Sequence, residues 1–268
     1  MPSNLKPITS PRQIRLGDDD AAPPKDLPKH KHLDDAAEEQ VDRIRKLQQK
    51  LYADGRFALL IVLQGRDASG KDGTIRKVFR GVNPMGCVVT SFKVPTELEQ
   101  QHDYLWRVHE RVPAQRMIGI FNRSHYEDVI VTRVHNLVPK KVWSERFDQI
   151  NDFEQMLTQN SVVILKFFLH VSRNEQKKRL IDRLEDKKKN WKFRAGDLDD
   201  RALWDDYTKA YRDAIARCST KWARWHIVPA DDEDARNLLV ARKIADTLDA
   251  LDLRYPLFDP KLKGLKVK

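Results

Sequence analysis

Long apolar runs, paired cysteines and a secretory signal are all missing from this chain of 268 residues. No stretch approaches 18 consecutive apolar residues, so no membrane span is expected. Residues 1–15 lack the apolar core of a signal peptide. Cys87 and Cys218 are the only cysteines and are far apart, which argues against a disulfide framework or a zinc site. We therefore expect a cytoplasmic protein with no membrane partner.

Charge is abundant, and its balance is basic. Lys and Arg number 50 against 40 acidic residues, a formal net charge of +10. Such an excess suits a polyanionic partner, which can be nucleic acid, anionic lipid or a phosphate polymer. Net charge alone does not choose among them.

Strand and helix patterns alternate along most of the chain. Short apolar runs predict five strands, at 57–63, 87–92, 117–121, 162–169 and 225–228. Helical spacing predicts helices at 34–53, 71–80, 96–108, 143–157, 173–186, 198–218 and 231–251. This alternation indicates a three-layer α/β/α sandwich around a parallel sheet.

Three regions follow from this pattern. Residues 1–33 are rich in Pro and charge, and we expect an arm that is extended or disordered. Residues 34–256 form one domain, which includes a helical lid at about 173–197. Residues 257–268 make a basic tail.

The strand at 57–63 runs into the most informative motif of the chain, between Gly65 and Lys71. The spacing G-x-x-x-x-G-K matches the Walker A pattern, in which backbone N–H groups and a lysine bind phosphate. The alternative is a Gly-rich turn with a solvated lysine and no role in phosphate binding. The pattern departs at its last position, where Asp72 replaces the Ser or Thr that holds Mg²⁺.

A carboxylate within this loop, Asp67, would oppose phosphate unless a cation bridged them. Mg²⁺ favours a carboxylate together with phosphate oxygens, so Asp67 is a candidate metal ligand. Capping of the following helix by Asp67 or Ser69 is the alternative. Asp72 suits the first turn of that helix.

A polar cluster, residues 122–128, follows the strand at 117–121. Ligands bind at this end of a parallel strand in open α/β sheets. A Walker B strand would end on an acid, and here Asn122 takes that place. Arg123 can grip a phosphate bidentately. Glu127 and Asp128 are either metal-linked carboxylates or a salt-bridged helix start.

The segment 173–194 carries ten Lys or Arg and four acids, a net charge of +6. On a helix, Arg179, Arg183 and Lys187 would share one stripe. The segment is either a solvated basic face or a lid whose arginines close over transferring phosphates. A further stretch, 92–107, has aromatic and polar groups to hold an acceptor, although Tyr104 and Trp106 suit a core equally well.

These motifs together resemble the family-2 polyphosphate kinases, over roughly residues 34–256. The resemblance rests on residues 65–73, 92–96, 102–107, 121–124 and 187–192. It implies a P-loop kinase-like fold similar to thymidylate kinases, with a helical lid. It also implies phosphate transfer between inorganic polyphosphate and adenine or guanine nucleotides, with Mg²⁺ or Mn²⁺, in a homo-oligomer (dimer or tetramer). The form of residues 122–128 looks like the subgroup that phosphorylates AMP as well as ADP.

On this basis each candidate residue receives a role. The expected catalytic set is Asp67, Lys71, Arg123, Glu127, Asp128, Arg179 and Arg183. The expected phosphate contacts are Gly65, Arg66, Ala68, Ser69, Gly70, Lys71, Asp72, Arg123 and Lys187. The expected nucleotide contacts are Phe92, Thr96, Arg107 and Asn122. The expected metal ligands are Asp67 and Asp128, with Glu127 as the other candidate beside Asp128.

Two rival functions remain open. One is an ATP-dependent nucleotide kinase of the same fold. The other is a basic nucleic-acid-binding module with a vestigial loop, but no RNP-like, zinc or helix-turn-helix signature is present. We expect no nucleic-acid partner.

Overall fold

A five-stranded parallel sheet forms the centre of the computed structural model, which describes residues 4–29, 32–263 and 265. The strands lie in the order β2-β3-β1-β4-β5. They are β1 (Ala58–Gly65), β2 (Cys87–Ser91), β3 (Ile118–Asn122), β4 (Val162–His170) and β5 (Trp225–Pro229). All five predicted strands are present, and each bound agrees within two residues.

Helices cover both faces of the sheet. They are α1 (Leu33–Asp54), α2 (Lys71–Val78), α3 (Glu97–Gln100), α4 (Trp106–His109), α5 (Glu127–Val134), α6 (Lys140–Gln159), α7 (Arg173–Glu185), α8 (Gly196–Ala202), α9 (Trp204–Cys218) and α10 (Glu233–Asp249). Helices α1, α2 and α10 share one core with the sheet, and α5, α6 and α9 share the other. The fold is therefore the expected P-loop kinase-like sandwich. No helix in the described ranges is long and apolar enough to cross a bilayer.

The central strand β1 explains why the site lies where it does. All eight of its residues are buried between β3 and β4. Its register pairs Leu63 with Asn122 and Gly65 with Leu169. Because parallel strands end at one edge of a sheet, the loop after β1 and the polar cluster after β3 are neighbours.

Two predicted helices are broken. The helix expected at 96–108 is split into α3 and α4, because the Asp103 side chain accepts a hydrogen bond from the Leu105 backbone N–H (2.9 Å) and starts a new turn. The helix expected at 198–218 is interrupted at Leu203 between α8 and α9. A bond like that of Asp103 interrupts a helix without changing the spacing of apolar residues in the sequence. The spacing alone therefore predicts one continuous helix.

The N-terminal arm is packed on the domain over residues 4–29. Ile8, Ile14 and Leu16 are buried in the core that α5, α6 and α9 form. Ile8 donates its N–H to the Trp225 carbonyl (2.8 Å), and Asp231 donates to the Ala21 carbonyl (3.1 Å). Of the two expectations for this arm, extended or disordered, its described part is extended with two short 3₁₀ turns. In the tail, residues 257–261, 263 and 265 are exposed, and 264 and 266–268 lie outside the described residues.

Candidate active site

The loop between β1 and α2 is held by side chains that donate to its backbone carbonyl groups. Ala68 (φ 61°) and Gly70 (φ 97°) both have left-handed backbone conformations. The Lys71 ammonium donates to the carbonyls of Gly65 (2.7 Å) and Arg66 (3.0 Å). The N-terminus of α2 follows this loop directly, and the positive end of a helix dipole suits an anion, as the Walker A spacing predicts.

Helix α7 donates to two further carbonyls of this loop. The Gln176 amide donates to the Asp67 carbonyl (3.0 Å), and Arg179 donates to the Ala68 carbonyl (3.1 Å). Arg179 also donates to the carbonyls of Ala230 (2.8 Å) and Asp231 (2.9 Å). The expected role of Arg179, closing over transferring phosphates, does not fit these contacts. Buried carbonyls require donors, and Arg179 serves them. Sequence reasoning missed Gln176.

Lys71 lies in a buried and strongly charged position. Burial, together with the neighbouring Arg123, lowers the pKa of its ammonium to about 8, against the opposing effect of Asp67, Glu127 and Asp72. Its charge therefore responds to pH close to neutrality. A bound phosphate would favour the charged form.

Arg123 joins the loop to the cluster after β3. Its guanidinium lies 2.6 Å from the Asp67 carboxylate and 2.8 Å from that of Glu127. Arg123 has a left-handed backbone (φ 62°) and donates its N–H to the Leu63 carbonyl (3.0 Å). Burial raises the pKa of Asp67, but Arg123, Lys71 and Arg183 outweigh it and hold that pKa below its usual value. Asp67 is thus anionic at neutral pH.

Asp72 and Asn122 are in direct contact. The Asn122 amide donates to the Asp72 carboxylate at 2.7 Å. In an ordinary Walker pair a hydroxyl follows the lysine and an acid ends the neighbouring strand. Here the acid follows the lysine and the neutral donor ends the strand, so one carboxylate is kept at this place in the site. Spacing alone suggested both departures, but not that they compensate each other.

Of two predicted phosphate contacts in the loop, Arg66 has other partners and Ser69 has a buried side chain. The Arg66 side chain turns away, bonds the Thr208 hydroxyl and stacks on the Trp204 ring of α9 at 3.8 Å. Burial lowers the pKa of Arg66 to about 10, so it stays charged. Ser69 is fully buried, and its hydroxyl has no hydrogen-bond partner among the described residues. The Arg66 side chain therefore anchors the loop to α9.

Asp128 lies with arginines. Its carboxylate is 3.6 Å from Arg146 and 3.9 Å from Arg107. Burial raises its pKa to about 6 against the effect of both arginines. These contacts do not support Asp128 as a metal ligand with Asp67. Glu127, which shares Arg123 with Asp67, is the better placed of the two acids.

Only some of the residues that were expected to contact the nucleotide lie close together. Arg107 packs over the Phe92 ring (5.5 Å) and donates to the Lys93 carbonyl (2.8 Å). The Thr96 hydroxyl instead accepts from the Glu99 N–H (3.2 Å) as the cap of α3, which the local sequence also predicts. Thr96 is thus engaged in a capping box.

The stripe of basic residues on α7 is shorter than predicted. Helix α7 ends at Glu185, so Lys187 lies beyond it on an exposed turn and does not continue the line of Arg179 and Arg183. Arg183 lies 3.5 Å from Asp197 at the start of α8. Asp186 ends the helix by accepting the Lys188 N–H (2.8 Å).

A buried polar network under the cluster after β3 was missed. Lys166 of β4 donates to the Glu154 carboxylate of α6 (2.5 Å) and to the Tyr126 hydroxyl (2.8 Å). Tyr126 (2.9 Å) and His125 (3.2 Å) also contact Glu154. All four side chains are buried. One signal was available, since a lysine inside an apolar strand run needs a buried partner.

Known proteins with similar sequences and structures include polyphosphate kinases and phosphotransferases. Residues 27–256 match the family Polyphosphate kinase 2. The AMP/ADP-polyphosphate phosphotransferase of Meiothermus ruber is 55% identical over 214 residues, which are 80% of each chain. The ADP-polyphosphate phosphotransferase of Rhodopseudomonas palustris is 44% identical, with 85% of this chain and 83% of the relative covered. A crystal structure of polyphosphate kinase 2 from Arthrobacter aurescens superposes with a TM-score of 0.89 at 38% identity, with 97% of each chain covered.

Proposed function

The chain belongs to the polyphosphate kinase 2 family, and we propose that it transfers the terminal phosphoryl group of inorganic polyphosphate to AMP, ADP or both, reversibly. The observation that carries this proposal is the phosphate loop, where Lys71, Arg123 and the N-terminus of α2 meet. The 55% identity to a phosphotransferase named for both AMP and ADP supports both acceptors.

Phosphoryl transfer asks for in-line positioning and charge neutralisation more than for covalent help. In the proposed reaction, a terminal phosphate oxygen of the nucleotide attacks the terminal phosphorus of polyphosphate. The bond to the shortened polymer breaks, and its electron pair stays on the departing oxygen. Lys71 and Arg123 stabilise the charge of the transferring group. No covalent enzyme intermediate is needed.

Mg²⁺ is the cofactor we propose, with Mn²⁺ as the alternative. The described residues hold no preformed cluster of three His, Cys, Asp or Glu side chains for a metal. A site of this kind suits Mg²⁺, which takes one or two carboxylates together with substrate phosphate oxygens. Asp67 would hold it from the protein side, with Glu127 or Asp72 as the second carboxylate. Bound there, it would neutralise phosphate charge.

The acceptor nucleotide, adenine or guanine, is proposed to lie near Phe92, Arg107 and Asn122. Arg107 and Phe92 are packed together, and Asn122 lies at the end of β3 beside the loop.

We also propose a cytoplasmic homo-oligomer, dimer or tetramer. The half-exposed Val88 and Val89 on the edge strand β2 support association, and both cysteines are free.

The deciding experiment separates this function from that of an ATP-dependent nucleotide kinase. The full chain is incubated with polyphosphate, Mg²⁺ and AMP or ADP, with no ATP added. We expect ADP and ATP to form, measured by chromatography. Formation of no higher nucleotide, together with phosphorylation of AMP when ATP is supplied, would establish the rival instead.

The depressed pKa of Lys71 predicts an alkaline limit. The folded pKa of about 8 lies below the usual 10.5, so above about pH 8 the empty enzyme loses this charge, and kcat/KM for polyphosphate falls. Bound polyphosphate restores the charge, so kcat should decline only at higher pH. Lys71→Arg, whose guanidinium stays protonated, should remove the limit from whatever activity it retains. A kcat/KM that stays flat to pH 10 in the unsubstituted enzyme would contradict this assignment.

A further inference from the structure

A fully buried arginine on α10, Arg236, lies directly against the phosphate loop. Its side chain is 0% exposed. A Cβ atom added at Gly70 would lie 2.0 Å from Nη1 of Arg236, and one added at Gly73 would lie 3.4 Å from Nη2. The guanidinium therefore packs on the backbone where the loop turns into α2. Neither the sequence motifs nor the mechanism above uses this residue.

The charge of Arg236 is poorly neutralised. Nε and Nη2 donate to the neutral Asn237 amide oxygen (3.3 and 3.2 Å). The Glu233 carboxylate lies 3.8 Å from Nη1 on a side chain that is 66% exposed, and Nη1 has no hydrogen-bond partner among the described residues.

More distant charges act on Arg236 in both directions. Burial lowers its pKa to about 10, Arg179 lowers it further, and Glu233, Asp232 and Asp234 oppose both. The guanidinium nevertheless stays charged at neutral pH.

A buried cation at this place is unfavourable in the empty protein. It is removed from water, and it lies beside the positive N-terminal end of the α2 dipole, where Lys71 already adds a charge. A bound polyanion would reverse the balance, because phosphate attracts all three positive features across a dry, low-dielectric contact.

We propose that Arg236 is a positioning residue for the phosphate donor, acting from behind the loop: its buried charge strengthens the hold of residues 70–73 on the terminal phosphates. This inference rests on the proposed function, because it takes polyphosphate as the donor in this loop. It differs from a packing role, in which Arg236 only fills space under Gly70. Under the packing role the charge itself would not matter.

Two substitutions separate charge from packing. Arg236→Gln keeps a donor for Asn237 and removes the charge, whereas Arg236→Lys keeps the charge and removes the fork. Arg76→Gln, at an exposed position on α2, makes the same charge change in water and is the matched control. Binding of inorganic tripolyphosphate to the full chain is measured by calorimetry at low and high salt. Turnover with polyphosphate and ADP and thermal unfolding of the empty protein are measured alongside.

We expect Arg236→Gln to bind tripolyphosphate about tenfold or more weakly, with KM for polyphosphate raised more than kcat is lowered. Arg236→Lys should stay within about threefold of the unsubstituted protein, and Arg76→Gln within about twofold. The empty Arg236→Gln protein should unfold at a temperature no lower than Arg236→Lys does.

Equal weakening by Gln and Lys, or unchanged binding by Arg236→Gln, would overturn the proposal. So would an Arg236→Gln protein that fails to fold while Arg236→Lys folds, because the charge would then support the empty fold. If the unsubstituted protein binds tripolyphosphate but phosphorylates neither AMP nor ADP, the proposed function fails, and the binding comparison still decides the role of Arg236.

Discussion

Replacing Lys71 with alanine is expected to lower kcat/KM with polyphosphate by about 10²–10³-fold or more. Lys71 is buried at the loop, and its ammonium holds the carbonyls of Gly65 and Arg66. The substitution therefore removes a buried charge that we propose to act on the transferring phosphate, and it also leaves two loop carbonyls without their ammonium donor. Because both effects are greatest when charge moves between phosphates, kcat should fall together with kcat/KM.

The control for this prediction is Lys46→Ala, which removes the same charge from an exposed position on α1. Its activity should match that of the unsubstituted enzyme within about twofold. Steady-state rates with ADP as acceptor provide the comparison, and circular dichroism checks that the fold is retained. Near-normal turnover by Lys71→Ala would refute the site.

Replacing Lys166 with methionine is expected to destabilise the fold by about 3–5 kcal/mol. Methionine is similar in length, but it leaves the Glu154 carboxylate buried, with His125 and Tyr126 as its remaining side-chain partners among the described residues. Although burial raises the pKa of Glu154, Lys166 and His125 outweigh it and hold that pKa below its usual value, so the acid is charged in the native protein. Removing Lys166 therefore leaves the buried Glu154 carboxylate without its cationic partner. Thermal unfolding should shift downward by about 6–20 °C.

The double variant Lys166→Met, Glu154→Leu tests the cause. Replacing both charges removes the stranded carboxylate, so the double variant should recover part of the loss that Lys166→Met produces. Recovery should be incomplete, because Tyr126 then loses its acceptor. A loss below about 1 kcal/mol for Lys166→Met, measured by urea unfolding, would show that the pair contributes little.

The positions of the five strands, their parallel sheet and the phosphate loop could be predicted from the sequence. Buried parallel strands have continuous apolar runs, and 57–63 is such a run directly before a Gly-rich motif. The polar cluster after β3 could be placed at the same edge, because ligands bind at the carboxyl ends of parallel strands. These features depend on residues close together in the chain, so local patterns carry them.

The destinations of long side chains could not be predicted. Arg179 satisfies carbonyls of Ala68 and of the segment after β5, which lie 111 and 51 or 52 positions away in the chain. Arg66 reaches a ring on α9 instead of phosphate. Asp128 shares a helical turn with Glu127, yet its contacts are arginines from α4 and α6. Each of these contacts depends on which helices and strands pack together, and the spacing of residues along the chain does not determine that.

The grip of α7 on the loop limits how the lid moves. Gln176 and Arg179 tie the first half of α7 to the backbone of Asp67 and Ala68, and Arg201 ties it to α8 through the Gln176 side chain. This half cannot swing without pulling on the loop that would hold the donor. We therefore expect the pivot of the proposed lid past Glu185, in the turn that carries Lys187, Lys188 and Lys189. The moving part of the proposed lid would then be short, and the donor could be enclosed without a change in the geometry of the phosphate loop.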